Sequence, residues 1–330
     1  MSEFRQDIVS GDWIIIAPVR SKRPQNFKEK AVRKIKSKSV CPFDNLQKSG
    51  NWPPLNSWPD LKKWKLIVIP NKFPILSHSE KCGVKTPRGP YFMEEGVGHH
   101  DLIVTRNHHA PLYKLPEKDM TALLGIIQEQ IGVYSKDRCL AYVSTFMNVG
   151  PKAGASLDHP HLQLLATPII PPDVSHSLHG AKRYYEKNNR CAHCEIIKYE
   201  RAENSRIIAE NISAIALAPF ASRSPFEIRI FPRRHNPSFE KITAKERKGV
   251  GELLQKTLKV IADELGNPDM NFFIHSAPIK ERSNYRYYHW HIEILPILKI
   301  NGGLELSTGV QVNSMPPEEV VNFLRPKGKK

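Results

Sequence analysis

The sequence predicts an α+β protein of two similar halves, each a mainly antiparallel sheet with helices packed on it. Three observations predict it. Four short motifs recur in the same order in the two halves of a 330-residue chain. Each half carries one apolar stripe at helical spacing. Short apolar or alternating segments between turn residues fill much of the rest.

The recurrence is ordered, as in a duplicated unit. Cys41-Pro-Phe-Asp44 is matched by Cys191-Ala-His-Cys194. Asp101-Leu-Ile-Val-Thr-Arg-Asn-His-His109 is matched by Glu227-Ile-Arg-Ile-Phe-Pro-Arg-Arg-His235, an acidic residue leading a histidine eight positions on. Phe146-Met-Asn-Val-Gly-Pro151 is matched by Phe273-Ile-His-Ser-Ala-Pro278, and His159-Pro-His161-Leu-Gln163 by His289-Trp-His291-Ile-Glu293. The halves are taken as 1–180 and 181–330, joined near 168–190, where Pro168, Pro171 and Pro172 interrupt regular structure.

Strands are predicted at 12–17, 66–70, 101–106, 141–148, 161–167, 207–218, 226–232, 271–276 and 289–296. The basic, proline-bearing stretch 20–40 reads as loop. Met120, Leu123, Leu124, Ile127, Ile131 and Tyr134 lie on one face of a helix. Val250, Leu253, Leu254, Leu258, Ile261 and Leu265 do the same in the second half. That helix has Thr243 at its N-cap, Glu246 three residues on, and Gly266 after its end.

Hydrophobic residues make up 40% and charged residues 25%, a globular composition. Apolar runs such as Trp13 to Val19 are too short to span a bilayer. The start MSEFRQD lacks a basic-then-apolar signal pattern, so a cytoplasmic location is expected. The net charge of +16 favours an anionic partner, either a phosphate ester or a nucleic acid. No RNA-recognition, KH or helix-turn-helix signature accompanies it, so nucleic acid is not expected. Five cysteines without an export signal argue against a disulfide framework. The Cys191–Cys194 spacing suggests metal or redox chemistry instead.

The most informative segment runs from Asn148 to Gln163. Its glycines, Gly150 and Gly154, let backbone N–H groups approach an anion, with Ser156 and Asn148 alongside. Strand alternation then puts His159, His161 and Gln163 on one face. A neutral imidazole is a competent nucleophile near pH 7, and its phosphoramidate is reactive enough to pass a group onward. Gln163 can donate to the equatorial oxygens of the transition state. It cannot act as an acid or base, which favours transfer to a phosphate ester over hydrolysis.

Cys191, Cys194, His235 and His289 form a full tetrahedral zinc set. Cys41, Asp44, His109 and His159 are the first-half equivalents, with His99, His100 and His108 as competing ligands. Asp44 replaces a thiolate there, so weaker binding, a different metal or loss of the site stay open.

The stretch N-x-G-x-x-x-G-x-S-x-x-H-P-H-x-Q resembles the active-site motif of galactose-1-phosphate uridylyltransferases, in the histidine-triad superfamily. Gly11-Asp12-Trp13, Asn71-Lys72-Phe73-Pro74 and the segment Glu305 to Gln311 resemble flanking motifs. The resemblance implies two fused histidine-triad-like repeats and a ping-pong reaction through a nucleotidyl-His161. It implies that Gln163 orients the α-phosphate, that Ser156 and Asn148 lie near phosphates, and that Arg20, Arg23 and Asn71 lie near the nucleotide. Glu305 and Gln311 would hold sugar hydroxyls. Nucleotide sugar and sugar 1-phosphate are the implied substrates, and a homodimer is implied by the family only. The complete second C-x-x-C resembles the ADP-sugar phosphorylase relatives. Uridylyl transfer from UDP-glucose to galactose 1-phosphate leads. An ADP-sugar phosphorylase or adenylyltransferase is the alternative. A zinc-stabilised nucleotide- or RNA-binding protein without catalysis is the reading from another class.

Overall fold

The computed structural model describes residues 1–22 and 38–325. Two N-terminal strands, β1 (Glu3–Gln6) and β2 (Trp13–Ile16), open the chain. The first half follows with α1 (Leu46–Ser49), β3 (Asn56–Trp58), β4 (Leu66–Pro70), β5 (Lys85–Arg88), β6 (Tyr91–Glu94) and β7 (His99–Thr105). It continues with α2 (Glu117–Tyr134), β8 (Tyr142–Val149) and β9 (His161–Thr167). Two helices, α3 (Pro172–Asn188) and α4 (Ala192–Glu203), lead into the second half. There stand β10 (Ile207–Glu210), β11 (Ala214–Leu217), β12 (Ile228–Pro232), α5 (Ala244–Leu265), β13 (Met270–His275) and β14 (His291–Pro296). The described chain closes with α6 (Gly303–Thr308), β15 (Gln311–Asn313) and α7 (Pro317–Leu324).

Ten strands form one antiparallel sheet in the order β10-β11-β12-β14-β13-β8-β9-β7-β4-β3. Read from the β8–β13 junction, the order on one side repeats that on the other: β8, β9, β7, β4, β3 against β13, β14, β12, β11, β10. The register locates the symmetry. Phe146 and Phe273 are each other's direct partners, so a local two-fold passes between them. Phe146 pairs with Gln163 on its other side, and Phe273 with Glu293. Gln163 and Glu293 are therefore structural equivalents.

Helices α2 and α5 cover one face of this sheet at equivalent places. Leu123, Leu124 and Ile127 join Leu253, Leu254 and Leu258 in one core with Leu162, Leu164, Ile292 and Ile294 from the strands beneath. Thr243 and Glu246 form the expected capping box, and Gly266 ends α5 at φ 73°, where a side chain would strain the backbone. Alternation leaves the opposite face of β9 and β14 to His161, Gln163, His291 and Glu293.

Several expectations need correction. Segment 207–218 is a hairpin, not one strand. Asn211 Oδ1 accepts from the N–H groups of Ser213 and Ala214, so the side chain makes the turn itself. The join at 168–190 is mostly helix: Pro172 sits at the start of α3, where its missing N–H costs nothing. Cys82 and Cys139 form a disulfide, against the expectation from cysteine number. The sequence pattern does not predict strands β1, β3, β5, β6 and β15. The first two and β15 are three- or four-residue segments, and β5–β6 is an exposed hairpin with no buried side to create periodicity.

Candidate active site

His161 opens β9, and its Nδ1 lies 2.8 Å from the His159 carbonyl oxygen. That oxygen can only accept, so Nδ1 carries the proton and Nε2 keeps its lone pair. Burial lowers the His161 pKa, only partly offset by the hydrogen bond to His159, and the ring is neutral near pH 7. Phe43 packs edge-on against it, with ring centroids 5.2 Å apart. The result is a fixed tautomer with one nitrogen available for attack.

Gln163, two residues on, shares the face. Its Oε1 lies 2.9 Å from His100 Nε2. Asn71, read from the sequence as a nucleotide contact, holds this neighbour: its backbone N–H donates to the His100 carbonyl at 2.9 Å, and its Oδ1 accepts from the Phe73 N–H.

The loop after β8 turns back at Gly150 and Gly154, both at positive φ (85° and 83°) that suits glycine. Asn271 pins it from the second half, donating to Asn148 Oδ1 and Ala153 O at 2.9 Å each. The Lys152 N–H donates to Asp269 Oδ2. Gly154 and Ser156 are exposed on this loop. Asn271 carries no recognisable motif, which is why sequence reasoning passed over it.

The metal sets assemble, with one substitution. Ligand atoms of Cys191, Cys194, His235 and His289 lie within 4.8 Å of one another, as do those of Cys41, Asp44, His108 and His159. His108 takes the place expected for His109, which is exposed. The ladder explains the slip. Leu102 pairs with Gln163 and Arg229 pairs with Glu293, so the segments align at an offset of 127 and His108 matches His235. An error of one residue turns a side chain to the wrong side.

Both sets suit a metal. His235 Nε2 meets the Arg286 carbonyl at 2.9 Å and its Nδ1 lies 3.3 Å from Cys194 Sγ. His159 Nε2 meets the Thr105 carbonyl at 2.7 Å and its Nδ1 lies 3.5 Å from Cys41 Sγ. Each carbonyl fixes the outer N–H and leaves the inner nitrogen as donor. A hydrogen bond from Cys194 pulls the Cys191 thiol well below its usual range, favouring thiolate. Asp44 lies 2.7 Å from His108 Nδ1. A metal held by the first set would brace the chain just ahead of His161.

The second-half equivalent of the histidine site is filled by the protein's own charges. His291 stacks on His275 at 4.8 Å. Glu293 is engaged by His275 at 2.9 Å and by Arg223. Burial alone would raise the Glu293 pKa, but the Arg223 charge, the His275 hydrogen bond and the Arg229 charge together outweigh it and keep the carboxylate ionised. This cluster fronts a cavity of about 810 Å³ that Gln311 and Lys299 also line. Glu305 lies 3.4 Å from Lys299, and Arg20 is exposed nearby. The structure thus does not bring Arg20, Glu305 and Gln311 to His161. Arg23 lies outside the described residues. Among the described residues, no helix is long and apolar enough to cross a membrane.

Residues 90–327 match a family model described as a domain of unknown function (DUF4921). An ADP-glucose phosphorylase of Arabidopsis thaliana is 34% identical over 330 residues, spanning 98% of this chain and 92% of that one. A galactose-1-phosphate uridylyltransferase of Thermotoga maritima is 27% identical over 336 residues, spanning 98% of each. The crystal structure of the Arabidopsis phosphorylase with bound ADP-glucose has a TM-score of 0.84 and 31% identity over the whole of both chains. A uridylyltransferase structure has a TM-score of 0.76 and 25% identity, covering 98% of this chain and 97% of that one.

Proposed function

The chain belongs to the family of ADP-glucose phosphorylases and galactose-1-phosphate uridylyltransferases, and from that premise we propose that it transfers adenylyl from an ADP-sugar to inorganic phosphate through His161. The observation that carries this is the His161 ring: neutral, with Nδ1–H held by the His159 carbonyl and Nε2 free to attack. The higher identity to the phosphorylase (34% against 27%) supports adenine over uridine. So does the complete Cys191–Cys194 pair.

His161 Nε2 attacks the α-phosphorus of ADP-glucose. The bond from that phosphorus to the bridging oxygen breaks, and glucose 1-phosphate leaves with the electron pair. Gln163 donates to a non-bridging oxygen as charge builds there. A phosphate oxygen then attacks the adenylyl-histidine, ADP departs, and the imidazole returns neutral. Asn148 near the end of β8, and Gly154 and Ser156 on the loop after it, would face the phosphates. Zinc at the two four-residue sets is read as structural; when bound it would hold the strand ends in place.

Intact-mass measurement after mixing with ADP-glucose or UDP-glucose tests this. An added AMP on His161, discharged by inorganic phosphate, is the expected result. In a His161→Gly chain the adduct disappears and turnover drops roughly 10⁴-fold or more. An added UMP discharged only by a hexose 1-phosphate would replace this reading with the uridylyltransferase one, which the Thermotoga relative favours.

A further inference from the structure

Resting on the reading of Gln163 as the donor to the α-phosphate, we propose that His100 is the positioning residue that aims the Gln163 amide. An amide side chain has a donor end and an acceptor end of nearly equal size. Unless something distinguishes them, it presents either end to the substrate. A carbonyl oxygen facing a phosphate would repel it.

The surroundings of His100 remove that ambiguity. Asn71 Nδ2 lies almost equally far from the two His100 ring nitrogens, 3.3 Å from Nδ1 and 3.2 Å from Nε2, and does not choose between them. The Ile75 backbone N–H, which can only donate, does choose: it meets His100 Nδ1 at 3.1 Å, so Nδ1 carries no proton. In the neutral ring the proton is then on Nε2, which donates to Gln163 Oε1 at 2.9 Å. The reversed amide would set an NH₂ against that N–H. His100 is buried. Its place in the ladder gives the direction. His100 pairs with Leu165, and Val104 with His161, on opposite sides of the Leu102–Gln163 pair in the same register. His100 therefore holds the amide oxygen on the Leu165 side of Gln163, and the NH₂ group turns toward the His161 side. The Asn71-Lys72-Phe73-Pro74 segment is the bracket behind it. The Asn71 N–H meets the His100 carbonyl, and the chain then folds over to place the Ile75 N–H on the ring.

Single-turnover transfer from ADP-glucose in four chains tests the proposal: wild type, His100→Phe, Gln163→Leu and the double variant. His100→Phe keeps a buried ring of similar size. It should slow adduct formation about 10- to 100-fold, with little change in the half-saturating ADP-glucose concentration. In the Gln163→Leu background the same change should do nothing further, because no amide is left to aim. His100→Gln, which restores an N–H donor at similar reach, should recover most of the rate. Additive losses in the double variant, or unaltered rates in His100→Phe, would overturn the proposal. Nitrogen NMR of the His100 ring gives a readout independent of turnover: a proton on Nδ1 rather than Nε2 overturns it as well. Failure of the wild type to form any nucleotidyl adduct would instead count against the functional reading, with the ring tautomer still deciding the role of His100.

Discussion

Gln163 and Glu293 occupy the same place in the two halves and differ by one functional group. The amide can donate to a phosphate oxygen; the carboxylate repels it and binds Arg223 and His275 instead. Gln163→Glu should therefore slow adduct formation by roughly 10²- to 10³-fold or more, the usual loss for one oriented donor. Rapid-quench kinetics with ADP-glucose would check this, with a melting curve to confirm the fold. The proposed nucleophile His161 and its neighbour Gln163 were legible in the sequence because their spacing is local. His100 was not. It lies 63 residues from Gln163, and only the β7–β9 register sets it beside that strand.

At the scale of elements, a metal held by Cys191, Cys194, His235 and His289 would clip the start of α4 to the loop after β12 and to the approach to β14. Cys191→Ser should lose one bound metal per chain and at least ~2 kcal/mol of stability, while adduct formed per folded molecule stays near wild type. Metal analysis beside a denaturant titration measures both. The N-terminal strands have an electrostatic clip. Asp7 lies 3.2 Å from Arg229, and although burial pushes its pKa up, the Arg229 charge together with hydrogen bonds from the Val9 N–H and Arg229 holds it below the usual 3.8. A lowered carboxylate pKa stabilises fully above the unfolded value and less as pH falls through the folded one. The urea midpoints of wild type and Asp7→Asn should thus differ from neutral pH down to roughly pH 4 and converge below it. The metal residues were readable in type and spacing, but His108 against His109 depended on a one-residue register that pattern alone did not fix.

Over the whole molecule, the two halves share one sheet, and the N-terminal segment packs on the second half. β2 pairs with β15, and α3 approaches so closely that a Cβ on Gly180 would overlap the Val9 carbonyl. Gly180→Ala should cost about 1–3 kcal/mol, seen as a lower denaturation midpoint. Glu305 and Gln311 stand with the second-half cavity. The strands carrying His161 and His291 are three positions apart in the sheet, about 14 Å. A dimer would let Glu305 and Gln311 of one copy reach His161 of the other. Mixing His161→Gly with Gln311→Ala chains should then regain part of the activity that each lacks alone. No recovery in a proven mixed dimer would remove Glu305 and Gln311 from the sugar site.

The sequence by itself determined the duplication, the two covering helices, the caps of α5, the strand that presents His161 and the donor types of the two candidate metal sets. Each of these is written in local spacing, where periodicity and side-chain chemistry act over a few residues. The tertiary structure alone decided which histidine completes the first metal set, what holds Gln163, and where the N-terminal strands and the sugar-contact candidates sit. Those depend on pairing between segments far apart in the chain, and strand register is set by the packing of the whole sheet.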